Sequence, residues 1–131
     1  MSQADRWRLI FRLAQNTLPP TPLGCYLWAH PPMENGYGKA SVCNQTLLAH
    51  RVVGKLVNVN KKVTGFDCSH LCHQRLCVTP SHIELETREE NNERKLCQAQ
   101  GSCRGHAGRK PCLFPGQMAD MSGGEMKWLY L

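Results

Sequence analysis

Ser69-His70-Leu71-Cys72-His73-Gln74-Arg75-Leu76-Cys77-Val78-Thr79-Pro80-Ser81-His82-Ile83 decides the reading of this 131-residue chain. Cysteine and histidine recur here at spacings that suit a metal loop, and the pattern runs on through Cys97, Cys103, His106 and Cys112. Between Cys68 and Cys112 lie six of the eight cysteines and four of the six histidines. At four soft ligands per ion, that is enough for two zinc sites, with His70 left over. The surplus histidine turns a structural pattern into a candidate for chemistry.

An even cysteine count also suits a secreted disulfide framework. Against it, Met1-Ser2-Gln3-Ala4-Asp5-Arg6-Trp7-Arg8 is charged, no apolar signal core follows, and no stretch approaches transmembrane length. The expectation is an intracellular chain, nuclear in a eukaryote and cytoplasmic otherwise, with no membrane partner. In a reducing compartment, cysteines interleaved with histidines read as metal ligands. The net charge of +6 is unevenly spread: from Asn35 to Ser81, Lys39, Arg51, Lys55, Lys61, Lys62 and Arg75 stand against Asp67 alone. A surface that meets a polyanion has this balance. Eight prolines, eleven glycines and 7% aromatics describe a loop-rich chain with a modest core that needs staples.

The expected organisation is one domain over 1–131: an N-terminal helix within 1–20, a core with the zinc sites over 23–112, and a tail over 113–131. Ser2 and Asp5 cap a helix in which Trp7, Ile10, Phe11 and Ala14 form a packing stripe. Residues 23–30 read as a strand stopped by Pro31-Pro32, with His30 a structural residue. Asn35-Gly36 signals a turn before a strand over 39–42. From Leu47, the apolar Leu48, Val52, Val53, Leu56 and Val57 suit one face of a helix that carries His50, Arg51 and Lys55 on or near its other side. A strand leads into His70, Ile83 and Leu85 alternate with acids in a second strand, and 88–96 form a polar helix displaying Asn91, Arg94 and Lys95. The fold class is α+β: a small mixed zinc-stabilised domain with antiparallel sheets.

Strand, histidine, metal loop, strand and asparagine-bearing helix are the layout of a ββα-metal nuclease site. Phosphodiester hydrolysis needs a base near neutral pH, which imidazole supplies. It also needs a hard cation such as Mg²⁺ at the scissile phosphate. Mg²⁺ prefers oxygen and keeps several waters, so one amide oxygen from Asn91 suffices and adds no negative charge near DNA. Lys39 or Arg51 then stabilises charge on the phosphate oxygens.

The segment from Ser69 to Ile83 resembles the His-Cys box of homing endonucleases, a branch of the His-Me finger (HNH-like) nucleases. Ser-His-Leu-Cys-His, a second cysteine, a proline and a histidine are matched; Thr79 replaces the usual asparagine before Pro80. The likeness extends through Glu89-Glu90-Asn91 to Cys97 and, upstream, to Gly24-Cys25-Tyr26, Tyr37-Gly38-Lys39 and Ala49-His50-Arg51, covering roughly 23–112.

The resemblance implies His70 as general base and Asn91 as the sole protein ligand of one catalytic Mg²⁺, with Asn92 the competitor. It implies a first structural zinc on Cys72, Cys77, His82 and an upstream cysteine, chosen as Cys25 with Cys43 and Cys68 as competitors. A second zinc takes Cys97, Cys103, His106 and Cys112. Lys39 stands about where the family has an arginine, which loses bidentate phosphate geometry. The resemblance also implies double-stranded DNA as substrate, a sheet in the major groove with Lys39, Asn44, Gln45 and Arg51 as DNA contacts, and a homodimer that cuts both strands. Trp128-Leu129-Tyr130-Leu131 is a candidate dimer contact. The other reading is a zinc-stabilised DNA-binding module that never cuts, which has no need of His70 together with Asn91. A restriction or mobile-element nuclease would share the same site.

Overall fold

The computed structural model describes residues 2–58 and 62–115. Helix α1 (Gln3–Gln15) starts where Ser2 Oγ accepts the Asp5 N–H, and it buries Leu9, Ile10 and Leu13. Its expected aromatic stripe is only partly core. Phe11 is 59% exposed and leans on Trp7 at 6.2 Å, because the buried face is set by Leu9, Ile10 and Leu13 instead.

Strands β1 (Lys39–Val42) and β2 (Gln45–Leu48) form an antiparallel hairpin in which Lys39 opposes Leu48 and Val42 opposes Gln45. Its two-residue turn, Cys43-Asn44, holds φ of 52° and 63°. Such paired positive values match the right-handed twist of the flanking strands. The sequence reading missed β2, so helix α2 starts at Ala49 rather than Leu47 (Ala49–Val57). Val52, Val53 and Leu56 go into the core as expected and Ala49 joins them, Leu48 and Val57 are only half-buried, and His50 is buried as well.

Strands β3 (Asp67–His70) and β4 (Ile83–Glu86) pair antiparallel, Asp67 opposite Glu86 and His70 opposite Ile83. Alternation along β3 separates two sets of side chains. Cys68 and His70 face α2: a Cβ on Gly54 would lie 2.6 Å from Cys68 Sγ, and the His50 ring packs on His70. Asp67 and Ser69 face helix α3 (Arg88–Gln100), which follows β4 after Thr87 and Glu90 close a reciprocal capping box. The strand–strand–helix unit expected around the box is therefore present. The Leu96 side of α3 is exposed, whereas Arg94, expected on the displayed face, is buried at 1% exposure by its pairing with Glu86.

Residues 23–30 do not make a strand. They form single bridges, Leu27 to Cys77 and Trp28 to Thr17, and the chain turns at Gly24 with φ of 86°. That turn brings Cys25 into a second buried cluster with Leu71, Cys72, Cys77 and Leu113. The larger core joins α1, α2, Trp28, Ala40, Val78 and Ile83. Lys61 and the Trp128–Leu131 end lie outside the described residues.

Candidate metal centres and active site

Two sets of side chains come together as tetrads. Cys25, Cys72, Cys77 and His82 are all buried, and Cys97, Cys103, His106 and Cys112 form the second set; within each, the ligand atoms lie within 4.8 Å of one another. In the first, His82 Nδ1 is 3.5 Å from the sulfurs of Cys25 and Cys77. The fully buried Thr79 holds the distant ligand's loop in place. Its Oγ1 accepts from the Tyr26 N–H at 2.7 Å and donates to the Gly24 carbonyl at 3.2 Å. The Cys25 N–H in turn donates to Thr21 Oγ1 at 3.0 Å. Cys25 thus completes the set. Cys43 is exposed in the hairpin turn, and Cys68 is buried against Gly54.

The donor chemistry fits zinc. Without a cation the crowded thiols compete for protons: hydrogen bonds from Cys25 and Cys77, then burial, push Cys72 up, while hydrogen bonds from Cys25 and Cys72 pull Cys77 down. A dication relieves this by taking all three sulfurs as thiolates.

In the second tetrad, His106 Nε2 is 3.5 Å from the sulfurs of Cys97 and Cys112, and its Nδ1 is 3.0 Å from Glu93 Oε1. A carboxylate behind a ligating imidazole sets its tautomer and raises its basicity. Burial disfavours the Cys103 thiolate, but N–H groups of Cys112 and Gly105 point at its sulfur, and the thiol falls to about 7. Arg94, paired with both oxygens of Glu86 at 2.6 and 2.7 Å, also reaches Cys112 Sγ at 3.5 Å. Arg109 spans Glu86 at 3.0 Å and Glu93 at 2.8 Å. This charge network ties the second tetrad to β4 and α3.

His70 belongs to neither tetrad. Its Nε2 is 2.8 Å from the Cys77 carbonyl oxygen. A carbonyl only accepts, so Nε2 carries the hydrogen, and in the neutral ring Nδ1 is the acceptor. Burial holds His70 below the ordinary imidazole value, partly offset by Cys77. The ring is walled by His50 at 4.5 Å and by Tyr37 at 6.0 Å, with Tyr37 stacked on His50 at 5.0 Å. The Arg75 guanidinium lies 5.4 Å from the Tyr37 ring centroid and donates to the Asn35 carbonyl at 2.7 Å. His50 was expected on or near the polar side of its helix. Its burial is legible only in three dimensions, because the ring it covers comes from β3.

Asn91 lies in the first turns of α3, with Oδ1 accepting from Ser69 Oγ at 2.9 Å and Nδ2 donating to Asp67 Oδ2 at 3.0 Å. Its amide is therefore tethered to the residue preceding His70, while Asn92 is exposed. Asp67 and Ser69 were absent from the sequence-based site. Their signal was the two-residue period of a strand facing a helix. Lys39 is exposed at the start of β1. The Arg51 guanidinium donates to the Phe66 carbonyl at 2.9 Å and more loosely to Val63. Asn44 and Gln45 are exposed at the tip of the hairpin. His73 stacks on Phe114 at 5.2 Å, and His30 is exposed with Nε2 2.6 Å from Asn16 Oδ1.

Among the described residues no helix is long and apolar enough to cross a membrane. Comparison with curated proteins and with solved structures finds no match. A family model described as the zinc-binding loop region of homing endonuclease matches residues 31–119, a span that holds seven of the eight tetrad residues, His70 and Asn91. With that match over more than half its length, the chain belongs to this homing endonuclease zinc-binding family.

Proposed function

We propose that this protein is a metal-dependent DNA endonuclease that hydrolyses phosphodiester bonds with His70 as general base and Asn91 as the protein ligand of one Mg²⁺. The observation that carries the reading is the 2.8 Å contact between His70 Nε2 and the Cys77 carbonyl. With Nε2 donating, Nδ1 is left as the acceptor nitrogen that a general base needs, and burial pushes the ring below the ordinary imidazole value, toward its neutral form. Asn91 Oδ1 fits a hard cation: one lone pair takes the Ser69 hydroxyl, and a second remains for a ligand. When bound, Mg²⁺ neutralises charge on the scissile phosphate and on the departing 3′ oxygen. Lys39 and Arg51 add positive charge toward the phosphates, and Asn44 and Gln45 present donors and acceptors to base edges from the hairpin. The two zinc ions are structural, standing in for a larger core.

A homodimer suits double-strand cleavage, with two symmetric copies each cutting one strand. Removal of residues 126–131 is expected to halve the mass in light scattering, and an unchanged mass rejects that contact.

The test is incubation of supercoiled plasmid with the zinc-loaded protein, with and without Mg²⁺, beside His70→Ala. Mg²⁺-dependent cutting lost in the variant supports the reading. Intact DNA in every lane, with zinc and DNA binding verified, replaces it with a zinc-stabilised binding module.

A further inference from the structure

Asn91 can serve a cation only if its amide presents oxygen rather than nitrogen, and the two ends of a carboxamide have nearly the same shape. Ser69 does not decide between them, because a hydroxyl both donates and accepts. Asp67 does. Its ionised carboxylate only accepts, and the Asn91 atom 3.0 Å from Asp67 Oδ2 must therefore be the nitrogen. Arg88, one turn before Asn91 on α3, holds the same carboxylate at 2.8 and 3.2 Å, which keeps it charged and fixed. Resting on the nuclease reading above, we propose that Asp67 is a positioning residue: it orients the Asn91 amide so that Oδ1 is available to the catalytic cation. The clasp also explains why Asn91, and not the exposed Asn92, is the ligand of choice.

Substitution Asp67→Asn replaces an obligate acceptor by a group that pairs with either end of the Asn91 amide. The amide is then free to turn its nitrogen, which has no lone pair for a cation, toward the site. Loss of a partner behind a metal ligand costs on the order of ten- to a hundredfold in metal affinity. The expected result for Asp67→Asn is a rise of about tenfold in the Mg²⁺ concentration that half-saturates plasmid cleavage, with kcat at saturating Mg²⁺ changed far less. Zinc content and thermal midpoint should stay near wild type.

Arg88→Met is the control for a merely structural ion pair. It removes the salt bridge but leaves an acceptor for Asn91, and it should shift half-saturation by less than about twofold, since exposed pairs contribute little. A second readout needs no cleavage. In the nitrogen–proton spectrum of the zinc-loaded protein, the Asn91 side-chain amide signals should move in Asp67→Asn and stay in Arg88→Met. Unchanged half-saturation with an unmoved amide signal overturns the assignment, as does a loss confined to kcat or an equal effect of Arg88→Met. If wild type itself shows no Mg²⁺-dependent cutting, the nuclease reading falls and takes the assignment with it. In the other failures wild type still cuts, so the two are distinguishable.

Discussion

His70 donates from Nε2 to the carbonyl of Cys77, a zinc-tetrad residue, across 2.8 Å. The first tetrad and the candidate base are therefore one construction. The loop that gathers the ligands also fixes the tautomer of the imidazole, so the tetrad and the candidate base are linked through a single peptide oxygen. Losing the loop's shape loses the orientation of His70 before any change in His70 itself.

Zinc stoichiometry separates the competing cysteines. Wild type is expected to hold two zinc ions per chain, one for each tetrad. Cys43→Ser should retain both, since that thiol is exposed in a hairpin turn. Cys25→Ser should lose one and lower the thermal midpoint. Atomic emission on protein exchanged into metal-free buffer measures this, and equal zinc in the two variants would reject Cys25 as a ligand.

The packing of α2 on β3 depends on the absence of a side chain at Gly54. A Cβ there meets Cys68 Sγ at 2.6 Å. Gly54→Ala is expected to destabilise by about 1–3 kcal/mol despite the better helix propensity of alanine. Adding Cys68→Ala removes the obstructing sulfur and should recover part of that loss. Urea unfolding of the two single variants and the double gives the coupling, and strict additivity would show that the clash is relieved elsewhere.

Arg94→Met strands the buried Glu86 carboxylate, both residues being 1% exposed in their side chains. Breaking such a pair costs about 3–5 kcal/mol. Arg109 remains 3.0 Å from Glu86, so the expected loss is near the lower end. Arg94 also contacts Cys112, so the second tetrad should release zinc to a chelator faster than the first. Stability within about 1 kcal/mol of wild type would mean that Arg109 takes over the pairing.

Acid sensitivity should trace in part to His50. Burial, then the adjacent His70 and Arg51, lowers it from 6.5 to about 3. A depressed imidazole in the folded state means that the unfolded chain binds the extra proton first. Its contribution to stability is present above pH 6.5 and is lost as pH falls toward 3. His50→Phe keeps a ring against His70 and Tyr37 without the titration. It is expected to flatten the fall in the unfolding free energy from urea titrations between pH 7 and 5, by up to about 1.4 kcal/mol per pH unit for one proton. Parallel profiles for the two proteins would remove His50 as the source.

Sequence alone determined the helices α1, α2 and α3, the strands β1, β3 and β4 and the ligand inventory, but neither β2 nor the bridged loop over 23–30. The Ser2 cap was legible because capping is a matter of a few neighbouring residues, whereas the Thr87 capping box and the Gly101 end of α3, beyond the expected 88–96, came from the structure. The second tetrad was legible because Cys97, Cys103, His106 and Cys112 are close in the chain. The first was legible for Cys72, Cys77 and His82, while Cys25 depended on a resemblance, since nothing in spacing separates it from Cys43 or Cys68. Only the tertiary structure decided that choice, by turning the chain at Gly24 and pinning it to Thr79. It also decided the surroundings of the candidate site. His50 and Arg94 carry polar side chains at positions whose burial is set by a partner elsewhere, the His70 ring in one case and the Glu86 carboxylate in the other. Asp67 and Ser69 likewise acquire meaning only when α3 lays Asn91 over β3. Periodicity reports which face of an element is apolar. It carries no information about which distant polar group will arrive to satisfy a buried one, and that pairing is what the fold supplies.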